Sequence, residues 1–435
     1  MTDVGTGLAG IGLLFVLLAL RVPIGMALIG VSFSGIWYLL GWKIAWSSLG
    51  LIPYQFAANW VLSSVPVFLL MGFICYHAQL TQGLFRAARV WMSGIPGGLA
   101  IAAVFGSAGF AAVTGSSVAC SAAMGRIAVP EMMRHRYDAE LATGTVAAAG
   151  TIGALIPPSI LMILYGVIAQ VPVTALFLGG IVAGLLTALG YIIVILIRVK
   201  LNPALAPQVR EHVPMSEKLE ALRDTWPVLA IMLGVFGGLF GGLFTPTEAG
   251  AVGAFLSCVV AIVKRTFNWT MFRTAALETL MTTSALLIIA IGASLLSRFL
   301  ALSGTGSWLS EMVIEIGANP FLLLLAVSVM YLLLGMFLEP MGMMLLTMPI
   351  VLPIMDAAGF SLIWFGVVLT KFLEIGMITP PIGMNVFVIK GVVGNLVTTS
   401  QIFRGIMWFL VADLVLVLLL IAFPDIVLFL PALMQ

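Results

Sequence analysis

Two clusters of oxygen-bearing residues interrupt long apolar stretches of the chain. The first is "TGSSVACS", Thr114–Ser121, and the second is "LGMFLEPMG", Leu334–Gly342. Their glycines allow close approach of the backbone, and their hydroxyl, carboxylate and carbonyl oxygens are ligands that suit a hard cation such as Na⁺. We therefore expect cation binding at both clusters.

Two proline pairs interrupt apolar stretches in the same way. They lie in "GTIGALIPPS", Gly150–Ser159, and in "EIGMITPPIG", Glu374–Gly383. Adjacent prolines break a helix, and a broken helix is tolerated at membrane depth only where its backbone lines a polar site. Half-helix N-termini there favour anions, and free carbonyls favour cations. The breaks therefore predict ion or solute binding near the middle of the membrane.

The composition predicts the class of protein that must position these clusters. The chain has 435 residues, of which 62% are hydrophobic and only 8% charged, against about 25% charged in soluble domains. Its apolar runs are too long for the strands of an outer-membrane barrel. We expect an all-α polytopic membrane protein surrounded by the lipid bilayer, and the net charge of +2 gives no indication of a nucleic-acid partner.

An internal repeat relates the two proline pairs. A shift of 223 positions places Pro157–Pro158 on Pro380–Pro381 and Pro130 on Pro353, so each single proline precedes its pair by 27 positions. Repeats of a membrane unit are typical of secondary transporters. We predict two repeats, at 60–197 and 278–423.

The flanking charges predict that the two repeats have opposite orientations. Arg86, Arg89, Arg134 and Arg136 flank the run Gly97–Val129, which indicates that both of its ends are cytoplasmic. The run has 33 residues, whereas two spans need about 40, so we predict a re-entrant hairpin. No Lys or Arg lies between Arg298 and Lys371, which places the matching hairpin on the opposite face.

These patterns divide the chain into segments. The predicted segments are N-terminal scaffold helices (1–59); a first repeat (60–197) with a hairpin at 97–129 and a broken helix at 139–170; a cytoplasmic linker with central scaffold helices (198–277); an inverted second repeat (278–423) with a hairpin at 319–355 and a broken helix at 361–393; and a C-terminal tail (424–435).

Several polar residues also have simpler interpretations. Glu339 precedes Pro340, so capping of a half-helix would be enough to explain this residue. Lys371 and Glu374 lie three positions apart on a predicted helix, which favours an ion pair between them. Asp413 has no obvious partner. The stretch "TPTEAG" from Thr245 predicts a helix capping box. Ser and Thr hydroxyls in membrane helices often bond only a carbonyl of the preceding turn.

Long motifs then indicate a family. "PGGLAIAAVFGSAGFAAVTGSSVACSAAMGRIAVPEM" (Pro96–Met132), "LATGTVAAAGTIGALIPPSI" (Leu141–Ile160) and "EIGMITPPIGMNVFV" (Glu374–Val388) resemble the large membrane subunit of a tripartite ATP-independent periplasmic (TRAP) transporter. The resemblance extends over essentially the whole chain, including "TPTEAGAVG".

The resemblance implies an elevator-type fold like that of the ion transporter superfamily, a bacterial inner-membrane location, and Na⁺-driven uptake. It implies a small membrane subunit and a periplasmic substrate-binding protein as partners. The implied Na⁺ ligands are Thr114, Gly115, Ser116, Ser117, Gly150, Thr151 and Gly153 at the first site, and Gly335, Phe337, Glu339, Gly376, Met377 and Thr379 at the second. Many members carry Asp where this chain has Glu339.

The implied substrate is an organic acid, such as a C4-dicarboxylate, a 2-oxo acid or a sugar acid like sialic acid. The residues expected near its carboxylate are Ser116, Ser117, Pro157, Pro158, Pro380, Pro381 and Asn385. Na⁺ is the expected coupling ion, and no organic cofactor is expected.

Two other functions are alternatives to binding-protein-dependent transport. A stand-alone Na⁺- or H⁺-coupled carboxylate transporter with a similar fold would work without partner proteins. An intramembrane enzyme is disfavoured, because no intramembrane histidine is available to activate Ser116 or Ser117. We therefore expect no enzymatic activity.

Overall fold

The computed structural model describes residues 3–207, 213–315 and 320–433. Asn319, the predicted start of the second hairpin, lies outside these ranges, as do parts of the predicted linker and both chain ends. Within the described ranges the regular structure consists of helices. This agrees with the all-α prediction.

The first half contains ten α-helices. They are α1 (Asp3–Ala19), α2 (Ile24–Leu40), α3 (Trp42–Ala57), α4 (Ser64–His77), α5 (Gln82–Met92), α6 (Gly98–Thr114), α7 (Ser117–Arg134), α8 (Ala139–Gly150), α9 (Ile160–Ala169) and α10 (Val173–Leu201). Short 3₁₀ turns, Trp60–Ser63 and Thr151–Ala154, precede α4 and follow α8.

The remaining helices follow the linker. They are α11 (Met215–Arg223), α12 (Trp226–Phe240), α13 (Pro246–Val263), α14 (Trp269–Leu302), α15 (Thr305–Glu315), α16 (Pro320–Gly335), α17 (Pro340–Ala357), α18 (Leu362–Gly376), α19 (Met384–Val393), α20 (Thr399–Ala422) and α21 (Asp425–Ala432). Six segments of the described chain are long and apolar enough to cross a membrane, or seven if the bent pair α11–α12 is one span.

The predicted hairpins and breaks are present as helix–break–helix units. The first hairpin is α6–α7 and the second is α16–α17, while the proline pairs separate α8 from α9 and α18 from α19. Helix α7 continues to Arg134, five residues past the approximate predicted end at Val129, and contains Pro130 in its interior.

Two pairs of helix starts keep the 223-residue offset. Helix α7 starts at Ser117 and α17 at Pro340, while α8 starts at Ala139 and α18 at Leu362. The N-caps match as well. The side chain of Asp138 accepts the N–H of Leu141, and that of Ser361 accepts the N–H of Trp364, in each case filling an orphan donor of the first turn. This register is compatible with two repeats, whose opposite orientation and domain limits stay predictions.

Contacts between the halves are reciprocal. Helix α7 of the first hairpin packs against α19, and α17 of the second hairpin packs against α9. Each hairpin also packs against the broken helix of its own half, through α7 with α8 and α16 with α18. The hairpins and broken helices therefore form one continuous buried core.

The described part of the predicted cytoplasmic linker packs against the first repeat. Helix α11 packs on α5, and Arg86 Nη1 lies 2.6 Å from Asp224 Oδ2 just after α11. Lys264, further along the predicted segment 198–277, lines the same cavity as Arg86 and Arg89. Three basic residues that flank predicted membrane segments therefore lie around one cavity, and the membrane orientation stays a prediction.

The capping box at the start of α13 is confirmed. The Thr245 side chain accepts the backbone N–H of Glu248, and Glu248 Oε2 accepts the backbone N–H of Thr245 at 2.8 Å. Glu248 therefore has a local structural role at this helix terminus.

Candidate functional site

The first hairpin tip is built on a left-handed glycine. Gly115, with φ of 60°, separates α6 from α7, a conformation that glycine adopts without steric cost. Ser116 then caps α7 by accepting the N–H of Ala119. A Cβ atom on Gly115 would lie 1.9 Å from the carbonyl oxygen of Pro158. The tip therefore sits directly on the first proline pair, with no room for a side chain.

The 3₁₀ turn before the first proline pair meets the same tip. A Cβ atom on Gly153 would lie 2.9 Å from the carbonyl oxygen of Ser116 and 3.0 Å from Cα of Ser117. The structure thus places the hairpin tip and the break of the first predicted Na⁺ set in contact through their backbone atoms. Irregular backbone at membrane depth is tolerated where it is buried in protein or lines a cavity, and the tip and the break bury each other here.

The hydroxyls of the first set have different partners. Thr114 Oγ1 donates to the Phe110 carbonyl at 3.0 Å, and Thr151 Oγ1 donates to the Ala148 carbonyl at 2.7 Å. Both are local helical bonds of the kind the simpler interpretation expects. Ser117 differs, because its Oγ donates to Oε2 of Glu374 in the second half at 2.5 Å.

A second-half residue completes the surroundings of the first break. Asn385 is fully buried, and its Nδ2 donates to the Ala147 carbonyl at 3.4 Å. A Cβ atom on Gly150 would lie 1.9 Å from Ser121 Oγ and 3.4 Å from that Nδ2. Among the described residues, neither Ser121 Oγ nor Asn385 Oδ1 has a hydrogen-bond partner. Buried polar groups almost always have a hydrogen-bond partner, so these two atoms are free to bond a further polar group.

The second hairpin tip is capped by its carboxylate. Glu339 is the N-cap of α17, and its Oε2 accepts the N–H of Gly342 at 2.9 Å. The capping interpretation of Glu339 is therefore confirmed. A Cβ atom on Gly335 would lie 2.8 Å from Cα of Gly376, so tip and break meet here as well. Phe337 of the same predicted set is 63% exposed.

The second break is more open than the first. Thr379 Oγ1 donates to the Ile375 carbonyl at 2.7 Å, and the Met377 carbonyl accepts the N–H of Asn385 at 3.0 Å. Pro381 is exposed and Pro380 half-buried, whereas Pro157 and Pro158 are buried. The four prolines among the predicted substrate residues therefore differ, because the first pair is buried and the second pair is partly exposed.

The predicted ion pair between Lys371 and Glu374 was wrong. Lys371 Nζ lies 2.6 Å from Asp413 Oδ1 on α20, and the Tyr191 hydroxyl donates to both oxygens of that carboxylate at 2.8 and 2.9 Å. The helical spacing favoured Glu374, but the buried carboxylate of Asp413 on α20 is the group that Lys371 contacts. Sequence analysis missed Tyr191. The only signal in the sequence was Asp413 itself, because a carboxylate inside a membrane span rarely stays without partners.

A comparison with protein families matches nearly the whole chain. The model of the family described as "Tripartite ATP-independent periplasmic transporter, DctM component" matches residues 11–426.

Curated relatives extend this similarity. The chain is 36% identical over 350 residues to the C4-dicarboxylate TRAP transporter large permease protein DctM of Pseudomonas aeruginosa, covering 80% of this chain and 81% of that protein. It is 30% identical over 440 residues to the sialic acid TRAP transporter large permease protein SiaM of Vibrio cholerae, covering 99% and 98%. The isethionate TRAP transporter permease protein DctMQ of Oleidesulfovibrio alaskensis is 29% identical over 351 residues, covering 80% and 54%.

The fold is also similar to a solved transporter. The crystal structure of the Alcanivorax borkumensis YdaH transporter, described as having an unusual topology, matches with a TM-score of 0.60 and 17% identity over 89% of this chain and 90% of that one. At this identity the likeness concerns the fold alone.

Proposed function

The chain belongs to the DctM-component family of tripartite ATP-independent periplasmic transporters, and from this premise we propose that it is the transport subunit of a Na⁺-coupled importer of an organic acid. Membership makes it a multi-pass protein of the bacterial inner membrane and a transporter permease, not an enzyme. The coupling ion, the substrate, the partners and the mechanism belong to the proposal.

One observation carries the proposal, namely the contact between the first hairpin tip and the first break. Gly115 lies against the Pro158 carbonyl and Gly153 against the Ser116 carbonyl. Two interrupted helices that meet through their backbones supply carbonyl oxygens for a cation and helix N-termini for a carboxylate. Gly335 and Gly376 repeat the contact in the second half, which supports a second cation site.

The substrate is proposed to be a small organic anion. The relatives named above are transporters of C4-dicarboxylates, sialic acid and isethionate by their names. Those three compounds share an acid group, which the N-terminal ends of α7 and α9 would favour. The buried Asn385 and Ser121 would provide uncharged hydrogen-bonding groups beside it.

An elevator-type movement fits the packing of the two halves. The hairpins and broken helices form a unit joined by reciprocal contacts, α7 with α19 and α9 with α17, and such a unit can move as a body while its site stays intact. The scaffold would comprise α1–α3 and α12–α14, and a small membrane subunit would pack against it. A periplasmic binding protein would deliver the substrate.

Reconstitution in liposomes tests this function. The chain is co-purified with the small membrane subunit, and the periplasmic binding protein is added outside together with radiolabelled C4-dicarboxylates and sialic acid. We expect uptake only with an inward Na⁺ gradient and with both partners present. Uptake by the chain alone would support the stand-alone carboxylate transporter instead, and uptake that is equal in K⁺ and Na⁺ would contradict Na⁺ coupling.

A further inference from the structure

Three ionisable side chains lie buried where the second broken helix meets the last span. Lys371 and Asp413 are 0% exposed and Glu374 is 1% exposed. Together they contribute one positive and two negative charges in their ordinary ionisation states. Because a charge without a partner is costly in such an environment, the partner of each group decides what this cluster can do.

The positive charge of Lys371 pairs with Asp413. Lys371 Nζ lies 2.6 Å from Asp413 Oδ1, and the Tyr191 hydroxyl bonds both oxygens of that carboxylate. Tyr191 is held in turn by the Thr151 hydroxyl at 3.0 Å. Asp413 is thus both neutralised and hydrogen-bonded, which is the condition under which a buried ion pair is tolerated.

The Glu374 carboxylate is the charge left over. Ser117 Oγ donates to its Oε2 at 2.5 Å, and a hydroxyl supplies no countercharge. Within the described part of the chain, no Lys, Arg or His nitrogen lies within 4.0 Å of this carboxylate. Burial without a countercharge is costly for a carboxylate, so this group either takes up a proton or binds a cation.

The position of Glu374 also matches a predicted ligand of the first site. Glu374 lies 223 positions after Thr151, so the repeat aligns the two residues. Its hydrogen bond, however, crosses from the second broken helix to the tip of the first hairpin. Two residues further on, Gly376 meets Gly335 of the second tip. The end of α18 therefore contacts both hairpin tips, the first through Glu374 and the second through Gly376.

We propose that Glu374 is the anionic ligand of the cation site at the first hairpin tip, with Ser117 Oγ and backbone carbonyls of the tip as further oxygens. Carboxylate, hydroxyl and carbonyl oxygens are the ligands that hard cations prefer. The cation would then bind both halves at once, and its occupancy would fix the first tip to the second broken helix. This inference rests on the Na⁺ coupling of the proposed function.

Direct Na⁺ titration of the purified membrane complex tests the assignment. Thermal unfolding is followed as NaCl replaces choline chloride at constant ionic strength, and Na⁺-dependent uptake is measured in parallel. Glu374→Gln keeps the size of the side chain and its ability to accept the Ser117 hydrogen bond. We expect it to raise the half-saturating Na⁺ concentration by about thirtyfold or more, as for the loss of a buried charged partner.

Glu278→Gln is the matched control, because Glu278 pairs with His77 at 2.9 Å on the scaffold helix α14 and is partly exposed. We expect its half-saturating Na⁺ concentration to equal that of the wild type. Ser117→Ala serves as the second variant and should raise the value by about threefold to tenfold. If Glu374→Gln does not yield folded protein, Ser117→Ala decides the outcome.

The possible failures are distinguishable. If the wild type is neither stabilised nor driven by Na⁺, the proposed function fails and this inference fails with it. If the wild type responds to Na⁺ but Glu374→Gln and Ser117→Ala titrate like it, the proposed function stands and Glu374 is no ligand. A lower unfolding temperature with an unchanged Na⁺ titration would assign Glu374 a structural role and overturn the proposal.

Discussion

At the first hairpin tip Gly115 lies against the Pro158 carbonyl, whereas at the second tip Phe337 is 63% exposed. The two tips nevertheless end alike. Ser116 and Glu339 lie 223 positions apart, and each caps its second half-helix by accepting the N–H three residues on. The same capped hairpin tip therefore occurs twice: the first copy is enclosed by protein, and the second copy is exposed at the protein surface.

The breaks differ in the same direction. Pro157 and Pro158 are buried, while beyond the second pair Ile382 is 42% exposed. Packing around the first break would have to open before an ion or solute could pass, whereas the second break needs less rearrangement. If both sites bind Na⁺ as proposed, we expect the enclosed site to release it more slowly than the accessible site. The following substitutions test how strongly each tip and break contributes to Na⁺-driven uptake.

The largest effect is expected at the enclosed tip. Gly115→Val places a β-branched residue at φ of 60° and a Cβ atom 1.9 Å from a carbonyl oxygen, so the tip can no longer seat on the break. Uptake in proteoliposomes should fall about a hundredfold, to background. Gly237→Val is the control, because a Cβ atom on Gly237 in α12 meets nothing within 4 Å. Uptake by Gly115→Val within twofold of the wild type would contradict the close seating.

A smaller effect is expected when the second cap loses its charge and keeps its hydrogen bond. Serine is a good N-cap, as Ser116 is in the first half, so Glu339→Ser preserves the start of α17. If the Glu339 carboxylate also contacts the cation, the half-saturating Na⁺ concentration should rise about tenfold. Glu339→Ala would add the loss of the cap, about 1 kcal/mol of stability, visible as a lower unfolding temperature. A Glu339→Ser titration equal to that of the wild type would leave Glu339 with the capping role alone.

The smallest effect is expected at the second break. The Thr379 hydroxyl donates its hydrogen to the Ile375 carbonyl, so only the lone pairs of Oγ1 remain to bind an ion. Thr379→Ala should raise the half-saturating Na⁺ concentration by about threefold. Thr274→Ala is a matched control, because Thr274 makes the same local bond to Thr270 in α14. Equal titrations for the two variants would remove Thr379 from the second site.

Local signals in the sequence predicted most of the fold. Proline pairs break helices wherever they occur, so both breaks could be placed, and "TPTEAG" predicted the cap that Thr245 and Glu248 form. The 223-residue offset predicted equivalent helices, and the structure has α7 and α17 starting at that offset. These features depend on residues near one another in the chain, or on a pattern that the chain repeats.

Long-range pairings could not be predicted in the same way. Ser117 bonds Glu374 across 257 positions, and Asp413 receives Lys371 from 42 positions away. No periodicity relates such partners, and the helical spacing of Lys371 and Glu374 favoured the wrong pair. Which buried charge is compensated is decided by packing between helices, which the sequence alone does not specify.

The partnership of Lys371 with Asp413 also has a consequence for biogenesis. Asp413 belongs to α20 (Thr399–Ala422), whereas Lys371 and Tyr191 are synthesised earlier. Until α20 has entered the membrane, a nascent chain holds Lys371 without its carboxylate. Insertion of α20, the helix at the end of the second predicted repeat, therefore supplies the carboxylate that neutralises the buried ammonium group.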